Sequence, residues 1–530
     1  MRKSSLLVFM IICLAMQAVF AGGTRQSGAA TSAVTGPVNV TYPITTAGAK
    51  SLSFWLPIQP AAARHISSYK EQPAYQLVEK NTGIDVTYIH PAAGQEQEQL
   101  GLLLASGDIP DILQIRNFYS SSIGVSEGIF RDLTNLIPVH APDYYREVRI
   151  SDRAYRQATN NEGKFTEFMM IKSTFPIFMR FSVRQDVMDS LGINIPITIA
   201  DYDNAFAKMK AAGLTAFTPD PNGKEDVLMF PYGITPGWFI GTDGKVKYGE
   251  AEPAYKQYLD LMHGWYVKGY LSQDFTSNIN DAERRAQFTT KQVGMIYHPV
   301  DLVKSASDIA GITMVPLPYP RLTPGQPINF MPISKETLPI RSEDFATVIS
   351  SSCKNPEVAT EYLNYLYTPA GADVANWGIK DLTYKVDPDG TKHFTDYMLR
   401  NPQIPLSDVQ VNLKIHQIAK LAEPDVVCNP NVVINPDALA ARMRWADDTT
   451  ITDSQILPPI QLSLKDNERR NEIMRDINTY IDEMTLKFIT GVTPLSEFDN
   501  YLAQIKSMGI DEAIKITQDG YQTFMTKPGL

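Results

Sequence analysis

The chain has 530 residues, 44% of them hydrophobic and 20% charged, with 48 Lys and Arg against 58 Asp and Glu. This is ordinary globular composition, long enough for about three or four domain-sized units or fewer large ones. A formal net charge of −10 and the absence of any basic run exclude a surface built to neutralise a phosphate backbone, so no nucleic-acid partner is expected.

The amino terminus, "MRKSSLLVFMIICLAMQAVFAGG", has a basic start, an apolar run over residues 6–16 and small residues ending at Ala21. That pattern predicts a secretory leader over residues 1–21 and a mature chain starting at Gly22. Losing Arg2 and Lys3 with the leader would take the net charge from −10 to −12. Lipid attachment needs a cysteine just after the apolar run, whereas Cys13 lies inside it behind Ile12. The expected location is therefore the periplasm or the cell exterior, without lipidation. Residues 22–50 are rich in Gly, Ala, Ser and Thr and read as a flexible arm. Cys353 and Cys428 could pair outside the cell, a closure worth up to about 4.5 kcal/mol, or remain buried thiols. The sequence leaves both open. No Cys/His spacing matches a zinc site.

The mature chain opens with "SLSFWLP" (51–57), a short strand. A helical stretch through "AYQLVEKNTG" follows and stops at Gly83. "IDVTYIH" (84–90) has the β-branched and aromatic make-up of a buried strand. "EQLGLLLASGDIPDILQI" then reads as helix, turn and strand. Strands alternating with helices at this spacing predict parallel βαβ units. Ligands of open parallel sheets bind beyond the carboxyl ends of the strands, which singles out Trp55, Arg116 and Asn117.

"SSSIGVSEGIFRDL" (120–133) contains Gly124-x-Ser126-x-Gly128, the G-x-S-x-G pattern of α/β-hydrolases. A nucleophilic serine there needs a buried strand before it and a helix after it. "FYSSSIG" is no buried strand, and "IFRDLTNLIP" is cut short by Pro138. Ser126 is therefore expected in a surface turn, with no catalytic role. Further on, Ile473, Ile477, Tyr480, Met484 and Phe488 recur at helical spacing and mark a core-facing helix. Thr493 and Pro494 read as the N-cap and first residue of the next one.

"LLASGDIPDI" (103–112) followed by "EGIFRDLTNLI" and "APDYY" resembles the family 1 extracellular solute-binding proteins of ABC importers, closest to their large LipO-like and alginate-binding branch. The likeness continues through "SVRQDVMDSLGINIPITIADYDNAFAKMK" (182–210), "YGEAEPAYKQYLDLMHGWYVKGYLSQDF" (248–275) and "KQVGMIYHP" (291–299). It extends to "CKNPEVATEYLNYLY" (353–367), "NWGIKDLTYKVDPDG" (376–390) and "KFITGVTPLSEFDNYLAQIKSMGIDE" (487–512). The resemblance implies an α/β, two-lobe periplasmic-binding-protein fold, each lobe a mostly parallel sheet flanked by helices, with ligand held in the cleft between them. Lobe 1 would comprise residues 51–172 and 328–385, and lobe 2 residues 173–327 and 386–530. Crossings are expected near 171–178, near 317–327 and after Tyr384.

The implied function is capture of a carbohydrate, in the first instance an oligosaccharide, by a monomer that delivers it to an ABC importer permease without catalysis. A pyranose has apolar faces that rest on aromatic rings and a rim of hydroxyls that need polar partners. The resemblance points to Trp377, in "NWGIK", and to Tyr297 and His298 at a strand end. Trp238 sits among turn residues, which leaves its ring open to a ligand and makes it a further binding candidate, and Trp265 reads as core. "FTPDPNGKEDVLMF" (217–230) resembles the calcium loop of the alginate-binding relatives but is about two residues short. Asp220, Asn222, Glu225 and Asp226 would be its ligands, giving a structural calcium where none is required for binding. Two alternatives stand beside this reading: a secreted carbohydrate-active hydrolase with a carboxylate pair, and a peptide-uptake or sensor protein of the same fold.

Overall fold

The computed structural model describes residues 40–530 apart from 49, 117, 174–178, 278–279, 332–336, 341–345, 416–417 and 435. Its strands are β1 (Ser51–Trp55), β2 (Asp85–Ile89), β3 (Ile112–Gln114), β4 (Met170–Ser173), β5 (Met179–Arg184), β6 (Trp238–Ile240) and β7 (Val246–Tyr248). After them come β8 (Met295–Pro299), β9 (Met314–Pro316), β10 (Thr337–Ile340), β11 (Thr347–Ile349), β12 (Tyr384–Val386) and β13 (Lys392–Phe394).

The fold is α/β with two lobes, each with its own sheet and core. In the first, β1 pairs in parallel with β2, Ser51 opposite Asp85, and in parallel with β3, Phe54 opposite Ile112. Helix Pro73–Thr82 makes the first crossover and ends at Gly83, whose φ of +71° an L side chain would resist. Helix Glu96–Ser106 makes the second and ends at Gly107 in the same way. β11 joins the far edge antiparallel, giving the order β11-β3-β1-β2. Phe54, Val86, Ile112 and Ile349 pack against helical residues such as Tyr75, Tyr144, Tyr362 and Leu363.

The second lobe is built around β5, which pairs antiparallel with both β8 and β9. Parallel contacts there are confined to bridges such as Phe217 with Leu271. The reason is connectivity: β5 starts where the chain arrives from the first lobe, so it runs opposite to β8, which ends at that edge with Pro299 beside Met179. Its core gathers Tyr202, Phe206, Tyr255, Tyr258 and Trp265 from two long helices, with Ile477 and Phe488 from a third. That third helix, Leu464–Thr490, spans 27 residues and presents Ile473, Ile477 and Phe488 buried, with Tyr480 and Met484 partly buried beside them. The next helical segment begins one residue later than the sequence suggests. Pro494 is extended (φ −71°, ψ 147°) and caps the short turn Leu495–Glu497.

β4, just before the chain leaves the first core, and β10, where it returns after Met331 of the second core, pair antiparallel. The crossing expected after Tyr384 lies later. Val411, Ile415 and Ile418 still pack in the first core, and Val433 packs beside Trp377. The chain reaches the other side with Ala441, against the Val300 and Val303 cluster, and with Ile451, in the second core. The delay follows from Met398, Val409 and Leu413, which bury against the Trp377 ring and hold the chain on the first lobe. Cys353 and Cys428 are both buried, as thiols and not as a disulfide, in different apolar clusters.

Candidate functional site

A cavity of about 370 Å³ opens at the carboxyl end of β8 and the amino end of β5. Its walls come from Met179, Pro236, Tyr297, His298 and Pro299 together with Asp220, Lys224, Glu225, Asp226, Asp281 and Arg284. Every one of these belongs to the second lobe.

β8 directs the first two side chains. Tyr297 donates its hydroxyl to Asp226 Oδ1 at 2.7 Å, and the same oxygen accepts the Val227 N–H. Burial pushes the Asp226 carboxyl up, against the pull of those hydrogen bonds. His298, buried, lies with Nε2 2.8 Å from Asp281 Oδ1. Asp281 is the first residue of helix Asp281–Thr289, whose start is fixed by a reciprocal cap between Asn280 and Glu283. Burial pushes the Asp281 carboxyl up too, but the His298 hydrogen bond and the charges of Arg285 and Arg284 outweigh it and hold it below its usual value. Arg284 stands 3.4 Å from both Asp220 Oδ2 and Asp281 Oδ1.

The acidic loop forms the floor. Gly223 has φ +69°, a conformation that an L side chain resists, and sits close under Ile489. Asp220 Oδ1 accepts the Asn222 N–H and Asn222 Oδ1 the Lys224 N–H. Glu225 is 2% exposed and accepts the Asp220 N–H at 2.6 Å. Burial pushes its carboxyl up to about 8, so it carries a proton at neutral pH. The buried Tyr258 hydroxyl bridges the loop, donating to the Gly223 carbonyl and accepting the Glu225 N–H.

The structure thus brings together Tyr297, His298, Asp220, Glu225 and Asp226, from two stretches read separately in the sequence. Asn222 is exposed on the loop. Trp238 lies on β6, partly buried, its ring edge-on to Tyr248 at 4.8 Å. It is near the cavity through Thr235 and Pro236 but does not line it. Two other expectations are corrected, those for Trp377 and Trp55, and Arg116 lies elsewhere. Trp377 is 3% exposed and packs among Tyr384, Phe394 and Met398, because helix Pro369–Trp377 turns that face inward. Trp55 is equally buried, under Leu113, Phe130 and Val348, since β1 is covered on both faces. Arg116 has φ +50° and its guanidinium lies 5.9 Å over the Phe118 ring, on the first lobe and away from this cavity. Asn117 lies outside the described residues. Asp281, Arg284 and Met179 were not anticipated. The Asn280-x-x-Glu283 cap was the available signal that a helix begins there.

Ser126 ends helix Ser121–Ser126 instead of occupying a turn, and its Oγ donates to the Ile123 carbonyl at 2.7 Å. Gly124 of the same motif is explained by packing, for a Cβ would fall 2.2 Å from the Phe130 ring.

This architecture, two lobes with separate sheets and cores, is a two-lobe α/β fold. The chain matches the family model for the bacterial extracellular solute-binding protein over residues 63–373, more than half its length, and belongs to that family. It is 26% identical over 269 residues to the polygalacturonan/rhamnogalacturonan-binding protein YtcQ of Bacillus subtilis, covering 45% of this chain and 51% of that one. The match thus spans about half the length of YtcQ. It is 19% identical over 525 residues to the fructooligosaccharide ABC transporter substrate-binding protein FusA of Streptococcus pneumoniae, covering 92% of each. Among solved structures, an HMO-binding, ABC-transporter-associated solute-binding protein from Bifidobacterium longum infantis superposes with a TM-score of 0.71 at 15% identity, over 90% of this chain and 99% of that one. The alginate-binding protein AlgQ2 without calcium ion gives 0.64 at 17%, over 89% and 98%. A FusA EF-hand mutant in complex with fructo-nystose gives 0.66 at 17%, over 90% and 100%. At these identities the structures establish the fold. Among the described residues, no helix is long and apolar enough to cross a membrane.

Proposed function

We propose that this protein captures an oligosaccharide outside the cytoplasm and passes it to an ABC importer permease, without chemical change. The observation that carries the reading is the cavity at the end of β8. Carboxylates of Asp220, Asp226 and Asp281 and the guanidinium of Arg284 alternate there with the apolar faces of Met179, Pro236 and Pro299. Sugar hydroxyls need such a rim, and the volume is within the range of small-ligand sites. The cavity borders the passage from the first lobe, since Met179 begins β5, so a ligand in it would be met by the other lobe on closure. The proposed lobes take residues 51–172 and 328–385 into the first and 173–327 into the second, except that Ile328, Phe330 and Met331 pack in the second core; of residues 386–530, those up to about 433 join the first. A cleaved leader over residues 1–21, a monomeric mature chain and an extracytoplasmic location complete the proposal, and binding itself needs no cofactor. The names of FusA and YtcQ support a carbohydrate ligand.

Titration with a panel of neutral and acidic oligosaccharides, read by melting temperature and calorimetry, tests it. At least one glycan should raise the melting temperature by mass action. Asp226→Asn and Tyr297→Phe should each weaken that binding about tenfold, the effect of losing one good hydrogen bond to a charged group. Glycan recovered intact after incubation supports a binding protein; cleaved glycan would instead favour the secreted hydrolase. No response across the panel, or full affinity in both variants, would remove the cavity as the site.

A further inference from the structure

We infer that Lys224 supplies, from within the chain, the positive charge that a calcium ion would bring to the loop at residues 217–230. The inference is independent of what the cavity binds. Calcium takes six to eight oxygens converging at roughly 2.3–2.6 Å. Here the oxygens that the sequence offers are turned to separate partners. Asp220 Oδ1 holds the Asn222 N–H while Oδ2 faces Arg284; Asn222 Oδ1 holds the Lys224 N–H. Glu225 holds the Asp220 N–H, and Asp226 Oδ1 is shared by Tyr297 and Val227. Among the described residues no group of three or more His, Cys, Asp or Glu side chains is placed to hold a metal. The donor set therefore does not fit the ion that the resemblance suggests.

A cation is nevertheless present. Lys224 Nζ lies 2.6 Å from Asp482 Oδ1, on helix Leu464–Thr490, and 3.6 Å from Glu250 Oε1. Glu250 is 1% exposed, and its other oxygen accepts the Gly237 N–H at 2.9 Å. A carboxylate buried that deeply is costly without a counter-charge. One ammonium thus ties the loop to two segments far away in sequence, as a bound divalent ion would. Arg284, 3.4 Å from Asp220, adds a second fixed positive charge that a calcium ion at the loop would have to approach.

The test compares melting temperatures of the purified full chain in excess EDTA and in millimolar calcium, with metal content measured after purification. The expected result is no difference between the two and no stoichiometric calcium. Lys224→Met should lower the melting temperature by about 3 °C or more, and adding Glu250→Gln should recover part of that loss, because the uncompensated carboxylate is then gone. Lys224→Arg, which keeps the charge, should fold even where Lys224→Met does not. A calcium-dependent rise in the wild-type melting temperature, calcium bound at one per chain, or an unchanged melting temperature in Lys224→Met would each overturn the inference.

Discussion

At the scale of single residues, Trp377 is the side chain whose surroundings argue most directly about its role. Its ring lies 4.8 Å from Phe394 and 5.9 Å from Tyr384, centroid to centroid, and Lys392 Nζ sits 5.7 Å over it. That ammonium is held by Asp373 and by Glu423, the latter at 3.1 Å. The indole N–H has no hydrogen-bond partner among the described residues, so the ring contributes through packing. Trp377→Ala should cost roughly 3–5 kcal/mol, as for a buried Trp truncated to a cavity. Trp377→Phe should cost less, since it keeps the aromatic contact and removes an unsatisfied donor. Chemical denaturation measures both, and glycan affinity in the Phe variant should match wild type. A weakened affinity with unchanged stability would return Trp377 to the binding surface.

At the scale of elements, a charge pair helps to join the short helix Pro60–Ala63 to helix Leu406–Leu413. Arg64 meets Asp408 through both oxygens, at 2.7 and 3.1 Å, and His65 Nε2 lies 3.0 Å from the same carboxylate. The Arg64 hydrogen bonds hold the Asp408 carboxyl well below its usual value. A depressed carboxyl contributes stability above its unfolded value and loses it as the pH falls through the folded one. Arg64 is largely exposed, so solvent screening limits the contribution. Asp408→Asn should therefore melt below wild type at neutral pH, with the gap closing as the pH falls below about 4. A gap of constant size from neutral to acid would show that the charge is not what matters. The contrast with the crossovers is instructive. Helices Pro73–Thr82 and Glu96–Ser106 were legible because their stops, Gly83 and Gly107, and the β-branched strand "DVTYI" are local signals. The Asp408 tie joins residues 344 apart, and nothing local marks it. The same holds for the site: a strand end announced Tyr297 and His298, but their partners Asp226 and Asp281 come from other elements. Trp377 was misjudged because a motif fixes neighbours in sequence, while exposure is decided by residues 384–413 folding back over it.

At the scale of the whole molecule, the cavity is incomplete as a binding site. All its walls belong to the second lobe, so a ligand seated there leaves one side to solvent. Binding energy grows with the surface removed from water, and the first lobe is the surface available to cover that side. The two lobes have separate sheets and separate principal cores, joined by three passages of chain, two of them flanked by the β4–β10 pair. Such a connection permits rigid-body closure while the sheets stay intact. A ligand that contacts both lobes only when they are closed shifts the population toward that state by its difference in affinity. Saturating glycan should therefore reduce the radius of gyration in small-angle scattering, while circular dichroism stays unchanged because no element is made or lost. Asp226→Asn, which weakens the second-lobe half of the site, should need proportionally more glycan to reach the same compaction. If calorimetry shows the cavity filled but the radius of gyration does not move, the ligand is held by the second lobe alone and closure is no part of its capture.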